Sequence, residues 1–326
     1  MPSDAVLASS ANGIDSRSMP GGSVAILLCT YNGARFLPQQ LASYVAQDFT
    51  DWRLFVSDDG SRDGTLALLE QFRSKHGAAR VAIRPGPCKG FVANFLSLIC
   101  DPAIEAEYYA LSDQDDMWDA DKLSRARQFL GRTPAEGPVV YCARTRLVDA
   151  EGVEIGFSTH YKRTPHFRNA LAQSLAGGNT MVINENTRRL LMRAGADVQV
   201  ASHDWWIYML ITAVGGKIIY DSTPTVSYRL HDRNLIGSND SAVAKVVRAR
   251  MLWRGRYKSW TDMNLAALGR IENLMTDDNR RTLEVFRRSR KLSVLPRIGG
   301  LVRSGIYRQS LLDDFGLLVA ALARKI

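Results

Sequence analysis

The chain has few cysteines, and none of Cys29, Cys88, Cys100 and Cys142 forms a CxxC pair or stands near a histidine at metal-ligand spacing. A structural zinc site therefore has no basis in the pattern, and the four residues read as buried free thiols of a reducing compartment. No stretch reaches the roughly 18 apolar residues that a spanning helix needs. Phe315–Ala323 is the best candidate and is too short. Residues 1–22 lack a basic segment followed by an apolar run, so they read as a disordered leader rather than a signal peptide. Neither a repeat of solenoid length nor a low-complexity segment occurs. The expected location is cytoplasmic, peripheral at the inner face of the cell membrane if the basic tail meets it.

What is present is the material of a globular protein. A hydrophobic share of 46% in 326 residues is enough for a sizeable core plus an appendage or second domain. The net charge of +9 is unevenly placed: residues 240–326 hold 18 Lys and Arg against 8 Asp and Glu. The preceding part is thus nearly neutral, and the tail is expected to meet something anionic or to present a solvated basic face.

Strand and helix signals alternate from residue 23. SVAILLCT (23–30) is a continuous apolar run, as in a strand buried on both faces of a parallel sheet. A helix with Leu37, Leu41, Tyr44 and Val45 at helical spacing follows, then strand 51–59, helix 65–76, strand 81–85, helix 90–100, strand 107–113 and helix 119–130. This repeat predicts an α/β fold with a doubly wound sheet and a ligand at the carboxyl ends of its strands. From residue 137 the pattern becomes more β-like, with strands expected over 139–149, 178–184 and 217–231 and helices near 185–194 and 203–214. The organisation read from this is a leader (1–22), a catalytic domain (23–239, its halves dividing at 135/136) and a basic helical region (240–326). In that last region Arg250, Arg254 and Lys258 share one helical face and Trp253, Tyr257 and Trp260 a neighbouring one. Pro296, Gly299 and Gly300 are expected to interrupt it before a final helix.

Three acid-bearing or polar segments end strands. CTYNG (29–33) offers backbone and side-chain hydrogen bonds at a sheet edge. SDDGSRDGT (57–65) places Asp58 and Asp59 at a strand end, with Asp63 able to cap the next helix. In LSDQDDMW (111–118), Asp113 and Asp115 point the same way in extended chain, since side chains alternate with period two. Two such carboxylates can share a hard divalent cation, which in turn bridges phosphate oxygens. Neither an EF-hand loop nor the DxDGT motif of dehalogenase-type phosphatases has the right spacing here.

Together LLCTYNGARFLPQQLASYVAQ, SDDGSRDGT, GFVANF, LSDQDDMWDADKL, HDWW and YRLHDRNLIG, in that order, resemble the family-two inverting glycosyltransferases of the GT-A fold, and within them bacterial rhamnosyltransferase-like members. The resemblance covers roughly 24–237. It implies a Rossmann-like mixed sheet and metal-assisted transfer from a nucleoside-diphosphate sugar. Thr30, Tyr31, Asn32, Asp58 and Asp59 would hold the nucleotide. Asp115 would bind Mg²⁺ or Mn²⁺, Asp113 would contact ribose or share the ion, and His231 would add a metal or diphosphate contact. Asp204 would be the general base. Capping of the helix that starts there is the other reading of Asp204, and a satisfied surface histidine the other reading of His231. Trp118, Trp205 and Trp206 would stack on an acceptor sugar or pack in the core. The implied donor is dTDP-rhamnose, and the acceptor a surface polysaccharide, a lipid-linked saccharide or lipopolysaccharide core. A nucleotidyltransferase, a nucleic-acid-binding module and an idle scaffold are the alternatives. The first lacks its glycine-rich loop, the second a recognised motif, and the third is opposed by the full set of acids.

Overall fold

The apolar run at the start becomes strand β1 (Val24–Thr30), buried at every residue. It is central and parallel to both neighbours, β2 (Trp52–Asp58) and β4 (Tyr108–Ser112), with β3 (Val81–Pro85) beyond β2. Helices α1 (Leu37–Val45), α2 (Thr65–His76) and α3 (Phe91–Ile99) make the crossovers. On the other side β9 (Val182–Asn184) joins β4 antiparallel, followed by β6 (Val139–Ala143) and β10 (Lys217–Asp221). The order β10-β6-β9-β4-β1-β2-β3 is a mixed sheet in which only β9 runs against the rest. The computed structural model describes residues 22–133, 136–231 and 256–326. The leader, except Gly22, lies outside the described residues, as do 232–255 with Arg250, Trp253 and Arg254.

Both faces of the sheet are covered, and β1 shows why its sequence is apolar throughout. Ala25, Leu27 and Cys29 enter the core that holds α3, α6 (Glu185–Ala194) and α7 (His203–Ala213). Val24, Ile26 and Leu28 enter the opposite core with α1, α2 and α4 (Lys122–Gly131). Alternate side chains of one strand thus feed two hydrophobic layers. The cysteines are free, but only Cys29 and Cys142 are buried; Cys88 is exposed.

Two long strands of the sequence reading divide in the structure. Residues 139–149 split into β6 and β7 (Arg146–Val148), and 217–231 into β10 and β11 (Val226–Arg229). The second halves leave the main sheet and form another with β5 (Met117–Trp118) and β8 (Glu154–Phe157), in the order β5-β11-β7-β8. The break after Asp221 falls at Ser222–Pro224, where proline has no N–H to continue a central ladder. The segment 178–184 likewise holds a 3₁₀ turn, Gly178–Thr180, before the short β9.

After 255 come α8 (Arg256–Leu268), α9 (Asp277–Lys291), α10 (Val294–Ser304) and α11 (Leu311–Leu322); α5 (Phe167–Ala170) lies earlier in the chain. Pro296, Gly299 and Gly300 do not break the pattern but lie inside α10. Proline is tolerated in a first turn, and Gly300 sits where an added Cβ would fall 2.4 Å from the Ser289 Cβ. Leu265, Leu268, Ile271 and Phe286 share one core with α7. Tyr257 donates to the Ala172 carbonyl and stacks on Trp205, ring centroids 6.2 Å apart. Among the described residues, no helix is long and apolar enough to cross a membrane.

Candidate active site

The parallel strands β1, β2 and β4 all end at one edge, and there the TYNG and SDDGSRDGT loops are joined by side chain to backbone bonds. The Ser61 hydroxyl accepts from Asn32 N, Thr65 Oγ1 from Gly33 N, and Asp63 Oδ2 from Ala34 N. Asn32 Oδ1 accepts from Arg62 N, and Asn32 itself adopts the left-handed region (φ 49°) that asparagine tolerates. Thr30 donates to Asp58 at 2.7 Å, and Asp58 also accepts from Gly60 N, Ser61 N and Ser61 Oγ. Thr30 and Asp58, expected to hold the nucleotide, are thus buried and engaged in building the edge, with their hydrogen-bonding capacity turned inward. Asp59 accepts from Cys88 N (2.6 Å) and Gly90 N (2.8 Å) and so anchors the loop before α3. Tyr31, by contrast, is 58% exposed.

Gln114, to which the sequence reading assigned no role, closes this edge from the other side. Its side-chain amide exchanges two hydrogen bonds with the Tyr31 backbone, accepting from N at 2.8 Å and donating to O at 3.0 Å. A side chain at Gly33 would place its Cβ 2.1 Å from the Gln114 Oε1, so glycine is needed for this clamp.

The second sheet brings in the remaining groups. β5 directly follows the DQDD segment and pairs antiparallel with β11, Val226 opposite Trp118 and Ser227 opposite Met117. Residues after 227 therefore lie opposite those before 117. Arg229 N donates to Asp116 Oδ1, and Arg229 Nε to the Asp115 carbonyl. His231 Nε2 comes within 2.9 Å of Asp115 Oδ2, and its ring packs on Phe36 at 4.9 Å between centroids.

Asp113, Asp115 and Asp116 are not equivalent. Asp116 is fully buried and accepts from Asn179 Nδ2 at 2.6 Å. Burial, with Asp115 nearby, pushes its carboxyl up to about 7. Lys122, equally buried, donates to the Asn179 carbonyl, lies over the Trp118 ring, and is pulled down by burial to about 7. Asp116, Lys122 and Asn179 form an inner support that the sequence reading missed. No local spacing links 116 to 179. Asp113 is raised well above the usual carboxylate range by burial and then by Asp116, Asp115 and Asp204. These four acids therefore share one electrostatic environment, which a cation would stabilise.

Asp204 stands in the first turn of α7. Its Oδ1 accepts from Trp205 N at 2.6 Å, so one oxygen satisfies a free N–H of the first turn, while the N-cap position itself is Ser202. Trp118, Trp205 and Trp206, expected either to stack on an acceptor sugar or to pack in the core, are core residues, 4%, 5% and 0% exposed. Trp118 packs edge-on against Tyr44, and Trp205 donates its indole N–H to the Ala170 carbonyl. Next to Asp204, His203 is buried, stacked on Phe95 with centroids 4.0 Å apart, and held down to about 4, by burial first.

The fit to a divalent cation rests on Asp115 and His231. Their nearest atoms already converge, one hard carboxylate oxygen and one imidazole nitrogen. Among the described residues no group of three His, Cys, Asp or Glu side chains forms a complete cage. A two-ligand protein contribution suits Mg²⁺ or Mn²⁺ held jointly with phosphate oxygens and water.

A mixed sheet of this order, with both faces covered by helices and an acid-lined edge, is the GT-A fold of the glycosyltransferases. Staphylococcus aureus TarS (residues 1–349), solved with UDP-GlcNAc, matches it with a TM-score of 0.53 at 17% identity, over 93% of this chain and 88% of that one. The family model described as Glycosyl transferase family 2 matches residues 25–194, more than half of the chain, and the protein belongs to that family. It is a glycosyltransferase, the first of the readings left open by the sequence. The dTDP-rhamnosyl transferase RfbG of Shigella flexneri is 28% identical over 266 residues, 77% of this chain and 86% of that protein. A putative teichuronic acid biosynthesis glycosyltransferase, TuaG of Bacillus subtilis, is 25% identical over 171 residues, 52% of this chain and 65% of that one.

Proposed function

We propose that the protein inverts configuration while transferring a sugar from a nucleoside-diphosphate donor, dTDP-L-rhamnose in the best-supported case, to a hydroxyl of a surface polysaccharide or lipid-linked saccharide. The observation that carries the reading is the contact of Asp115 with His231 beside Asp113 and Asp204. It supports the reading because an acid and an imidazole that could share a cation stand near two further carboxylates, at the edge where sheet proteins of this kind bind ligands. The likeness to the Shigella flexneri enzyme supports the rhamnosyl donor.

In this scheme exposed Tyr31 and the backbone of the clamped TYNG loop meet the nucleotide, and Asp113 orients the ribose. Asp115 and His231 would hold Mg²⁺ or Mn²⁺ against the diphosphate. When bound, such a cation offsets the charge that gathers on the leaving diphosphate. Asp204 takes the proton of the acceptor hydroxyl as the new bond forms, while Trp205 N, bonded to Oδ1, fixes the carboxylate. One base and one stabilised leaving group suffice for a single inverting displacement, so a second catalytic carboxylate is unnecessary.

The test is a thermal-shift comparison of dTDP, UDP and GDP compounds with and without Mn²⁺. A ligand that binds the folded state raises its apparent melting temperature by mass action. A Mn²⁺-dependent shift largest for dTDP compounds is expected. Equal shifts for dTDP and UDP would remove the rhamnosyl assignment, and none with any nucleotide would remove the donor reading altogether.

A further inference from the structure

Helices α10 and α11 are apolar on two sides. Inward, Leu301 of α10 and Leu317, Ala320 and Ala321 of α11 belong to the buried core. Outward, α10 exposes Leu295 (80%) and Val302 (68%), and α11 exposes Leu311 and Leu312 (79% each), Phe315 (65%), Val319 and Leu322. The α11 positions 311, 315, 319 and 322 follow the helical period and form one stripe. Large apolar side chains on the surface are ordinary when scattered, but a stripe at helical spacing on one of two packed helices marks an interaction face.

The charges around this face select its partner. Among the described residues, Lys291, Arg303 and Arg324 are exposed and lie within four residues of Leu295, Val302 and Leu322 in the chain, and α10 contains no acidic residue. The two acids of α11 are turned to other work: Asp313 accepts from Ser310 Oγ at 2.7 Å, and Asp314 pairs with Arg163 at 2.7 Å. A second copy docked here would bring cation against cation, with Asp313 alone on these helices not already paired with a cation. An anionic lipid surface supplies both what the stripe lacks and what the cations lack. At 12 residues, α11 is too short to span a bilayer and suited to lying in its interface.

We infer that the outward face of α10 and α11 seats the enzyme on an anionic bilayer, with the Leu311–Leu322 stripe entering the headgroup boundary and Lys291, Arg303 and Arg324 meeting lipid phosphates. This surface differs from the Arg250, Arg254 and Lys258 face expected from the sequence; Lys258 is paired with Asp262 at 2.6 Å, and the other two lie outside the described residues. The inference does not depend on which sugar is transferred.

The experiment is cosedimentation of the full chain with phosphatidylglycerol-containing vesicles and with pure phosphatidylcholine vesicles. The wild type is expected to pellet with the first far more than with the second. In L311Q/L312Q/F315Q the partition onto anionic vesicles should fall roughly tenfold or more, given the apolar area removed from the interface. In R303E/R324E the preference for anionic over neutral vesicles should shrink. The nucleotide-dependent thermal shift of both variants should match the wild type, which separates loss of docking from loss of fold or of donor binding. Wild-type protein that stays in the supernatant, or a triple variant that pellets like the wild type, overturns the inference. So does sedimentation velocity showing a wild-type dimer that the triple variant converts to monomer while vesicle binding is unchanged.

Discussion

His231 Nε2 and Asp115 Oδ2 stand 2.9 Å apart across 116 residues of chain, joined because β11 runs antiparallel to β5. Asp115→Ala should lower transferase turnover by at least about 10²-fold, the scale on which one stabiliser of transition-state charge acts. His231→Ala should raise the Mn²⁺ concentration required for half-maximal rate. Initial rates across a Mn²⁺ titration check both, and a His231→Ala curve superimposable on the wild type would remove that residue from the cation site.

Asp204→Asn keeps the shape and an acceptor for Trp205 N but cannot take a proton. Transfer to acceptor should drop about 10²–10⁴-fold, with donor affinity little changed. Slow Mn²⁺-dependent hydrolysis of the donor by water should persist in Asp204→Asn and vanish in Asp115→Ala. Following nucleotide release with and without acceptor distinguishes the two roles.

His203 predicts a pH dependence of stability. Its folded-state pKa is depressed from 6.5 to about 4 by burial, so between those values the unfolded chain binds more protons. Its contribution is fully present above about 6.5 and is lost as pH falls toward 4, at most roughly 3 kcal/mol. His203→Phe, which retains a ring against Phe95, should lose less stability than the wild type between pH 6.5 and 4.5 in urea unfolding. Parallel curves for the two proteins would show that His203 is not held neutral.

Asp59 anchors Cys88 N and Gly90 N. Asp59→Ala leaves both backbone donors without that partner and should cost about 1–3 kcal/mol, readable as a lower urea midpoint with unchanged slope. A midpoint within error of the wild type would mean that water replaces the carboxylate without loss.

The elements with strong periodicity were legible before any coordinates. β1 reads as doubly buried because Val24 through Cys29 are apolar without interruption, and α6 and α7 fall where expected. The cluster of acids at this sheet edge was legible too, since strand-ending carboxylates are unusual enough to stand out. The tryptophans were not: Trp118, Trp205 and Trp206 have amphipathic rings that suit a sugar face or a core equally, and only burial decides. Thr30 and Asp58 were read as ligand groups from the resemblance; their mutual bond was not legible, because it spans two strands and has no local signature.

By itself the sequence determined the alternation of strands and helices in the first half of the chain, the sheet edge at which the acids stand, and the family. Those follow from local periodicity and from motifs whose residues are neighbours in the chain. Tertiary structure alone decided that residues 139–149 and 217–231 each serve two sheets, and that Gln114 clamps Tyr31. It also decided that Asp116 rests on Asn179 and Lys122 while Asp115 faces His231. Each of these depends on strand pairing between distant segments, and pairing is set by the balance of burial and hydrogen-bond satisfaction over the whole fold.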